Sequence, residues 1–122
     1  VLNSDSALNI PDFRSSEVVF QLITQVAGRS GRGALQGEVI IQTCMPDNST
    51  IQLASKQDYE AFYQEEIAAR EMFKYPPFSS IVKANFYGED QKKTLQSATQ
   101  WQKNIRASLP DHFQVYPVTP CG

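Results

Sequence analysis

Cysteine and histidine are scarce in this chain of 122 residues, which contains two cysteines and one histidine. Cys44 and Cys121 have no CxxC partner, and together with His112 they supply too few soft ligands for a zinc site. A disulfide between the two cysteines stays open as an alternative. Free thiols are favoured, because nothing in the sequence directs the chain to an oxidising compartment.

Long apolar runs and a signal peptide are also missing. No run approaches the roughly 20 apolar residues that cross a bilayer, and residues 1–10 have no basic start. We therefore expect a cytoplasmic protein without a membrane partner. The chain opens on Val1 rather than Met and closes on Gly122, from which we expect a piece of a longer protein.

Basic charge is not in excess: 11 Lys and Arg stand against 13 Asp and Glu, a formal charge of −2. A dedicated nucleic-acid-binding domain is usually basic, so this total weighs slightly against one. A local cluster can bind nucleic acid whatever the total charge. The local basic group here consists of Arg29 and Arg32, with Arg14 further upstream.

An amphipathic helix is the first feature that the chain does contain. Ser15 or Ser16 suits its N-cap, and its apolar face follows at helical spacing with Val19, Leu22, Ile23 and Val26. Three glycines, Gly28, Gly31 and Gly33, come next, and glycine disfavours a continuing helix. The helix is therefore predicted to end near Ala27 or Arg29, within a turn.

Strands and helices are predicted to alternate along the rest of the chain. They are a buried strand at 38–43, a short helix near 50–55, a helix near 58–73, a strand at 80–87, a helix near 91–109 and the start of a second strand at 113–116. The fold class is therefore α/β. The proline pair Pro76-Pro77 is predicted to separate its two parts, because a residue before proline resists the helical conformation.

Aromatic side chains are assigned to the core rather than to a ligand site. Six lie on the helix near 58–73 and the proline turn behind it: Tyr59, Phe62, Tyr63, Phe73, Tyr75 and Phe78. Ile67 and Arg70 share their helical spacing, and acidic or amide side chains occupy the opposite face. Trp101 lies on the apolar stripe of the last helix and is likewise expected in the core.

The segment that carries chemistry is Gln25-Val-Ala-Gly-Arg-Ser-Gly-Arg32. Arginine is always charged and presents a planar fork of donors, and an arginine finger contributes about 10³–10⁵ in rate in NTPases. The small residues around them let Arg29 and Arg32 point the same way. Gln25 lies one helical turn before Arg29 and could reach the same region. A Gly-Arg pair alone is common in solvated loops, so the pattern by itself leaves both interpretations open.

The octet resembles motif VI of superfamily 2 helicases. Together with its flanks, it resembles the PriA family, the primosomal replication-restart helicases of bacteria. The similar runs are Asp5–Arg14 with Glu17, Phe20–Gly33, Gly37–Thr43, Asp58–Phe62 and Tyr75–Phe78. One departure is Val18, where the family commonly has an arginine, and this puts in doubt any contact that such an arginine makes.

The resemblance implies a division of the chain into three parts. Residues 1–45 would be the end of the second RecA-like helicase lobe with motif VI, and residues 46–78 a connecting helical segment. Residues 79–122 would be the truncated start of a C-terminal DNA-binding domain, a partial strand-helix-strand unit.

Residue roles and partners follow from the resemblance as well. Arg32 would be the catalytic arginine finger, Arg29 a second phosphate-facing arginine, and Gln25 the link between nucleotide state and lobe closure, with Gly28 beside the nucleotide. The implied cofactor is ATP with Mg²⁺, held mainly by a first lobe whose GxxxxGK[ST] loop is not in these residues. Zinc is implied for the full-length relatives only. Implied partners are branched DNA forks, primosome proteins and single-stranded-DNA-binding proteins.

Three hypotheses are open at this stage. The first is a segment of an ATP-driven 3′-to-5′ DNA helicase, inactive as an isolated chain. The second is a DNA-binding module at 79–122 in its own right, with scattered basic residues at Lys83, Lys92, Lys93, Lys103 and Arg106. The third is a structural piece whose uncovered aromatic side chains associate with a second copy.

Overall fold

A computed structural model describes residues 2–30 and 37–120 of the chain. Its elements are β1 (Leu2–Asn3), α1 (Asp5–Leu8), α2 (Ser15–Ser30), β2 (Ile41–Gln42), α3 (Ser49–Ser55), α4 (Tyr59–Phe73) and α5 (Gln91–Ser108). The chain divides into two compact units, Val1–Ile81 and Val82–Gly122, which we call unit 1 and unit 2. None of the helices in the described ranges is both long and apolar enough to cross a membrane.

The core of unit 1 lies where α2, α3 and α4 meet. Its buried apolar side chains are Val19, Phe20, Ile23, Ile51, Ala54 and Phe62. Phe20 and Phe62 stack with their ring centroids 4.2 Å apart and their planes 13° from parallel. The first half of α2 is therefore fixed by packing against the two helices that follow it.

Local signals set the helix ends. Asn48 caps α3 by accepting a hydrogen bond from the Ile51 N–H at 3.4 Å, and Asp58 caps α4 through the Ala61 N–H at 3.1 Å. At the other end of α4, Lys74 adopts the left-handed conformation with φ 55°, two residues before Pro76. The predicted bounds of α3, α4 and α5 are confirmed to within one residue.

The inward face of α2 differs from the predicted stripe. Val19 and Ile23 are buried as expected, but Leu22 is 37% exposed and Phe20 is buried in its place. The reason is tertiary: α3 packs against α2, and Phe62 of α4 stacks on Phe20. The helical spacing of the four predicted residues fits the face that contains Leu22 as well as the adjacent face that contains Phe20, so the sequence could not decide between them.

Strand structure is shorter than predicted. β1 and β2 pair in parallel, with Leu2 opposite Ile41 and Asn3 opposite Gln42, so the strand expected at 38–43 is reduced to two residues. The strands expected at 80–87 and 113–116 are not formed, and this part of the prediction was wrong. A strand requires a paired neighbour, and the described residues place no strand beside either segment. The RecA-like lobe remains a prediction.

Unit 2 is built around α5. Asp90 caps the helix by accepting hydrogen bonds from the Lys92 and Lys93 N–H groups at 2.9 and 3.1 Å. Ala98 is buried, whereas Trp101, which was expected in the core, is 41% exposed and tilted against Phe86.

The aromatic side chains of α4 are also less buried than predicted. Only Phe62 is in the core, and the exposed fractions of the other five lie between 39% and 64%. The assignment of these five side chains to the core was wrong for this chain. Phe62 faces the buried side of α4, whereas Tyr59, 6.2 Å from the Phe20 ring, and Tyr63 remain 64% and 44% exposed.

Candidate functional site at the end of α2

Three of the four predicted nucleotide-contacting residues lie together on α2. Gln25, Gly28 and Arg29 are all exposed, and spacings of three and four residues place them within one turn on one side of the helix. The fourth residue, Arg32, falls outside the described residues. Its role as the arginine finger therefore stays a prediction.

Arg29 presents an uncommitted positive charge. It lies in the last turn of α2, where a cation offsets the negative end of the helix dipole by about 0.3–1 kcal/mol. Within residues 2–30 and 37–120, no hydrogen bond or ion pair engages its guanidinium. The planar donor fork is thus free to bind an anion such as a phosphate oxygen.

Gly28 leaves open space above the helix backbone. A Cβ added at this position would meet no atom within 4 Å. A glycine inside a helix costs about 0.8–1.0 kcal/mol relative to alanine, and packing within the described chain does not require it. The position instead allows close approach of a ligand or of a facing protein surface.

The backbone at Gly37 lies against the backbone of Ser30, in the last turn of α2. A Cβ at Gly37 would lie 1.8 Å from the carbonyl oxygen of Ser30, far inside van der Waals contact. Only glycine fits this approach of two backbones. Gly37 therefore lies directly against the backbone of Ser30, the last described residue of α2.

Arg70 holds the other end of α2 and was not singled out as functional from the sequence. Its guanidinium donates to Glu17 at 2.7 Å, to Glu66 at 3.1 Å and to the Pro76 carbonyl oxygen at 3.4 Å. It also lies over the Phe13 ring, 5.1 Å from the centroid. Its side chain is only 14% exposed.

The electrostatics of Arg70 follow from these contacts. Burial on its own would lower the pKa of Arg70, but the hydrogen bonds to Glu17 and Glu66 outweigh it and raise the pKa above its usual value. The sequence contains one part of the signal for this cluster, the helical spacing of Arg70, but not the identity of its partner Glu17. An arginine at the same helical spacing as Phe62 must be neutralised when that face is buried.

Asp5 connects the start of unit 1 to the end of β2. Its carboxylate accepts hydrogen bonds from the Thr43 hydroxyl and from the Cys44 N–H, the latter at 2.6 Å. These two hydrogen bonds lower the pKa of Asp5. The contact spans 39 residues in sequence, which local patterns do not reveal.

Unit 2 has a partly open surface beside α5. Trp101, Phe86 and Lys103 line the same shallow cavity. Between residues 82 and 120 there are five Lys or Arg and three Asp or Glu, so this part is basic although the whole chain is acidic. The cavity thus combines an exposed aromatic ring with positive charge.

Comparison with known proteins gives one consistent result. The chain is 51% identical over 122 residues to "Replication restart protein PriA" of Chlamydia pneumoniae, and this match covers all of the chain and 16% of that protein. Proteins of the same name from Bacillus subtilis and Treponema pallidum are 44% and 37% identical over 108 and 107 residues, 88% of the chain in each case. These matches cover 13% and 16% of the two relatives. No family model and no solved structure matches the chain.

Proposed function

Because this chain belongs to the PriA family of replication restart proteins, of which it spans one segment, we propose that it completes the ATPase of a replication-restart DNA helicase. The activity proposed is ATP-dependent 3′-to-5′ unwinding at stalled forks, followed by primosome assembly. The observation that carries this proposal is the exposed face of Gln25, Gly28 and Arg29, which no described side chain occupies.

The described residues fit part of an ATP site. The free guanidinium of Arg29 suits a phosphate group, and the open space at Gly28 lets that group approach the backbone. No group of three acidic, His or Cys side chains in the described chain is arranged to hold a metal ion. The proposal therefore assigns Mg²⁺ and most of the nucleotide contacts to a first helicase lobe, and zinc to another part of the parent.

Each residue of the motif has a distinct proposed role. ATP would supply the phosphoryl group that is transferred to water, with ADP as the leaving group, and Arg32 would stabilise the charge that develops on it. Arg29 binds a neighbouring phosphate oxygen and holds it in place. Gln25, one turn earlier on the same face, links the state of the nucleotide to closure of the two helicase lobes. Branched DNA, primosome proteins and single-stranded-DNA-binding proteins are the proposed partners.

Substitution of the two arginines in the full-length protein tests this function. We expect Arg32→Ala to lower DNA-stimulated ATP hydrolysis by about 10³-fold or more, and Arg29→Ala to lower it by a smaller factor, while forked DNA is still bound. Lys56→Ala is the matched control, since Lys56 is an exposed basic residue at the end of α3, outside the motif. Wild-type turnover in Arg32→Ala would refute the proposed role of the motif.

A second candidate function is DNA binding by unit 2 itself. The exposed ring of Trp101 beside Lys103 favours it, because aromatic stacking on a base contributes about 1–3 kcal/mol and phosphate contacts add to it. A gel shift of the isolated chain with forked DNA should then weaken as salt rises. Trp101→Ala should weaken binding more than Tyr87→Ala, an exposed aromatic residue outside the cavity. Absence of binding at low salt would exclude this candidate.

A further inference from the structure

Two kinds of contact fix α2, and they differ in directionality. Apolar packing of Val19 and Ile23 buries the helix, but hydrophobic contact has little preference for angle. Glu17, in the first turn, accepts a hydrogen bond from Arg70 at 2.7 Å. A guanidinium fork fixes the direction of its partner as well as the distance.

Arg70 itself has little freedom to follow a moving partner. Its other donors are engaged by Glu66 on its own helix and by the Pro76 carbonyl oxygen, and the Phe13 ring lies against it. The pair is partly buried, with 14% and 40% of the Arg70 and Glu17 side chains exposed. It is therefore screened less than a surface ion pair.

The uninterrupted helix transmits this constraint to its other end. α2 runs without a break from Ser15 to Ser30, so Arg29 lies about 18 Å along the axis from Glu17 at about 1.5 Å per residue. A group roughly 5–6 Å from the axis moves by about 1 Å for each 10° of helix rotation. A displacement of about 1 Å at reacting groups can lower a rate about 10²-fold.

We propose that Arg70 is a positioning residue, which sets the rotation of α2 through Glu17 and so aims Gln25 and Arg29 at the nucleotide. This inference rests on the proposed function of the exposed α2 face. Arg70 does not touch the nucleotide, and its effect is carried by the helix. Because Arg70 also binds Pro76, it ties the direction of α2 to the segment that follows α4.

The test uses Arg70→Lys in the full-length protein. Lysine keeps the charge and the stem but cannot hold Glu17, Glu66 and the Pro76 carbonyl in one planar fork. We expect kcat for DNA-stimulated ATP hydrolysis to fall about tenfold or more, with KM for ATP and affinity for DNA within about twofold of wild type. Glu17→Gln should act in the same direction, and the double variant should show little further loss.

Two controls separate positioning from stability. Glu60→Gln makes the same exchange as Glu17→Gln at an exposed carboxylate of α4 whose partner, Gln64 at 3.0 Å, lies on the same helix, and it should leave kcat unchanged. Ile51→Val and Ile51→Ala remove methyl groups from the core against which α2 packs, and they calibrate how kcat responds to a given fall in the thermal midpoint. A kcat loss in Arg70→Lys no larger than this calibration, or none at all, overturns the proposal.

The outcome is distinguishable from failure of the proposed function. Loss of turnover in Arg29→Ala with wild-type turnover in Arg70→Lys would remove only the positioning role. Wild-type turnover in both Arg29→Ala and Arg32→Ala would remove the proposed function, and the inference with it.

Discussion

Single side chains join distant segments of unit 1, and Asp5 shows the energetic consequence. Its hydrogen bonds from Thr43 and from the Cys44 N–H lower its pKa below the usual value of 3.8. A carboxylate whose pKa is lowered by folding stabilises the folded state above its unfolded pKa. That contribution disappears as the pH falls through the lower, folded pKa.

The first prediction concerns the acid dependence of stability. We expect Asp5→Asn to lower the thermal midpoint at pH 7, and the difference from wild type to shrink as the pH falls below the unfolded pKa and to disappear once it is below the lower, folded pKa. Thermal melts followed by circular dichroism across this range provide the measurement. Asp47→Asn, at an exposed aspartate, serves as the control. A difference that persists unchanged at low pH would contradict the assignment.

The second prediction is that substitution of Gly28 and of Gly37 by alanine changes the free energy of unfolding in opposite directions. Gly28→Ala should stabilise the chain by about 0.8–1.0 kcal/mol, because the new methyl group meets no atom and alanine favours the helix. Gly37→Ala should destabilise it, because the methyl group would collide with the Ser30 carbonyl. Urea denaturation measures both. In the full-length protein, Gly28→Ala should nevertheless reduce ATP hydrolysis if a ligand approaches this backbone closely.

The sequence predicted which residues of the candidate site lie together on α2. It did not predict the contacts between residues far apart in the chain. Gln25, Gly28 and Arg29 lie on one helix turn, so their spacing alone placed them together. Arg70 reaches Glu17 across 53 residues, and Asp5 reaches Cys44 across 39. Which residues meet at such separations depends on how the helices pack, and a single sequence contains no direct record of that.

At the scale of elements, helices were predicted well and strands poorly. The ends of α3, α4 and α5 are set by side-chain caps and by proline within a few residues, and such signals are local. A strand depends on a neighbour for its hydrogen bonds. The alternation that puts Val82, Ala84 and Phe86 on one side therefore indicated a strand without securing a paired neighbour for it.

The third prediction tests the cap of α5. Asp90→Ala removes the acceptor of the Lys92 and Lys93 N–H groups and should destabilise unit 2 by about 1 kcal/mol. Amide hydrogen exchange in the first turn of α5 should quicken accordingly. Glu89→Ala is the neighbouring control and should have a much smaller effect. Equal effects of the two substitutions would exclude a specific capping role for Asp90.

At the scale of the whole chain, several large apolar side chains have no described cover. On α4 the most exposed are Met72 at 75%, Tyr59 at 64% and Phe73 at 63%. Exposed apolar side chains of this kind favour association when they form a continuous patch. Met72 and Phe73, adjacent at the end of α4, are therefore the place to test the third hypothesis, association of the isolated chain.

The fourth prediction is concentration-dependent self-association of the isolated chain, measured by light scattering. The double substitution of Met72→Lys and Phe73→Lys should shift the chain toward monomer without lowering its thermal midpoint, since both side chains are exposed. Val82→Lys, at a 90% exposed residue outside α4, adds the same kind of charge and serves as the control. A monomer at every concentration would contradict the prediction.

The meeting of Ser30 and Gly37 also defines a place for protein engineering. Since the backbone is already brought together at these two residues, the span between them can be exchanged as a cassette with its attachment points fixed. Doubling the length of a flexible insert between fixed ends costs only about 0.6 kcal/mol. Spans of different length and composition, carrying or omitting Arg32, could thus be transplanted between relatives while Gly37 is retained as the essential joint.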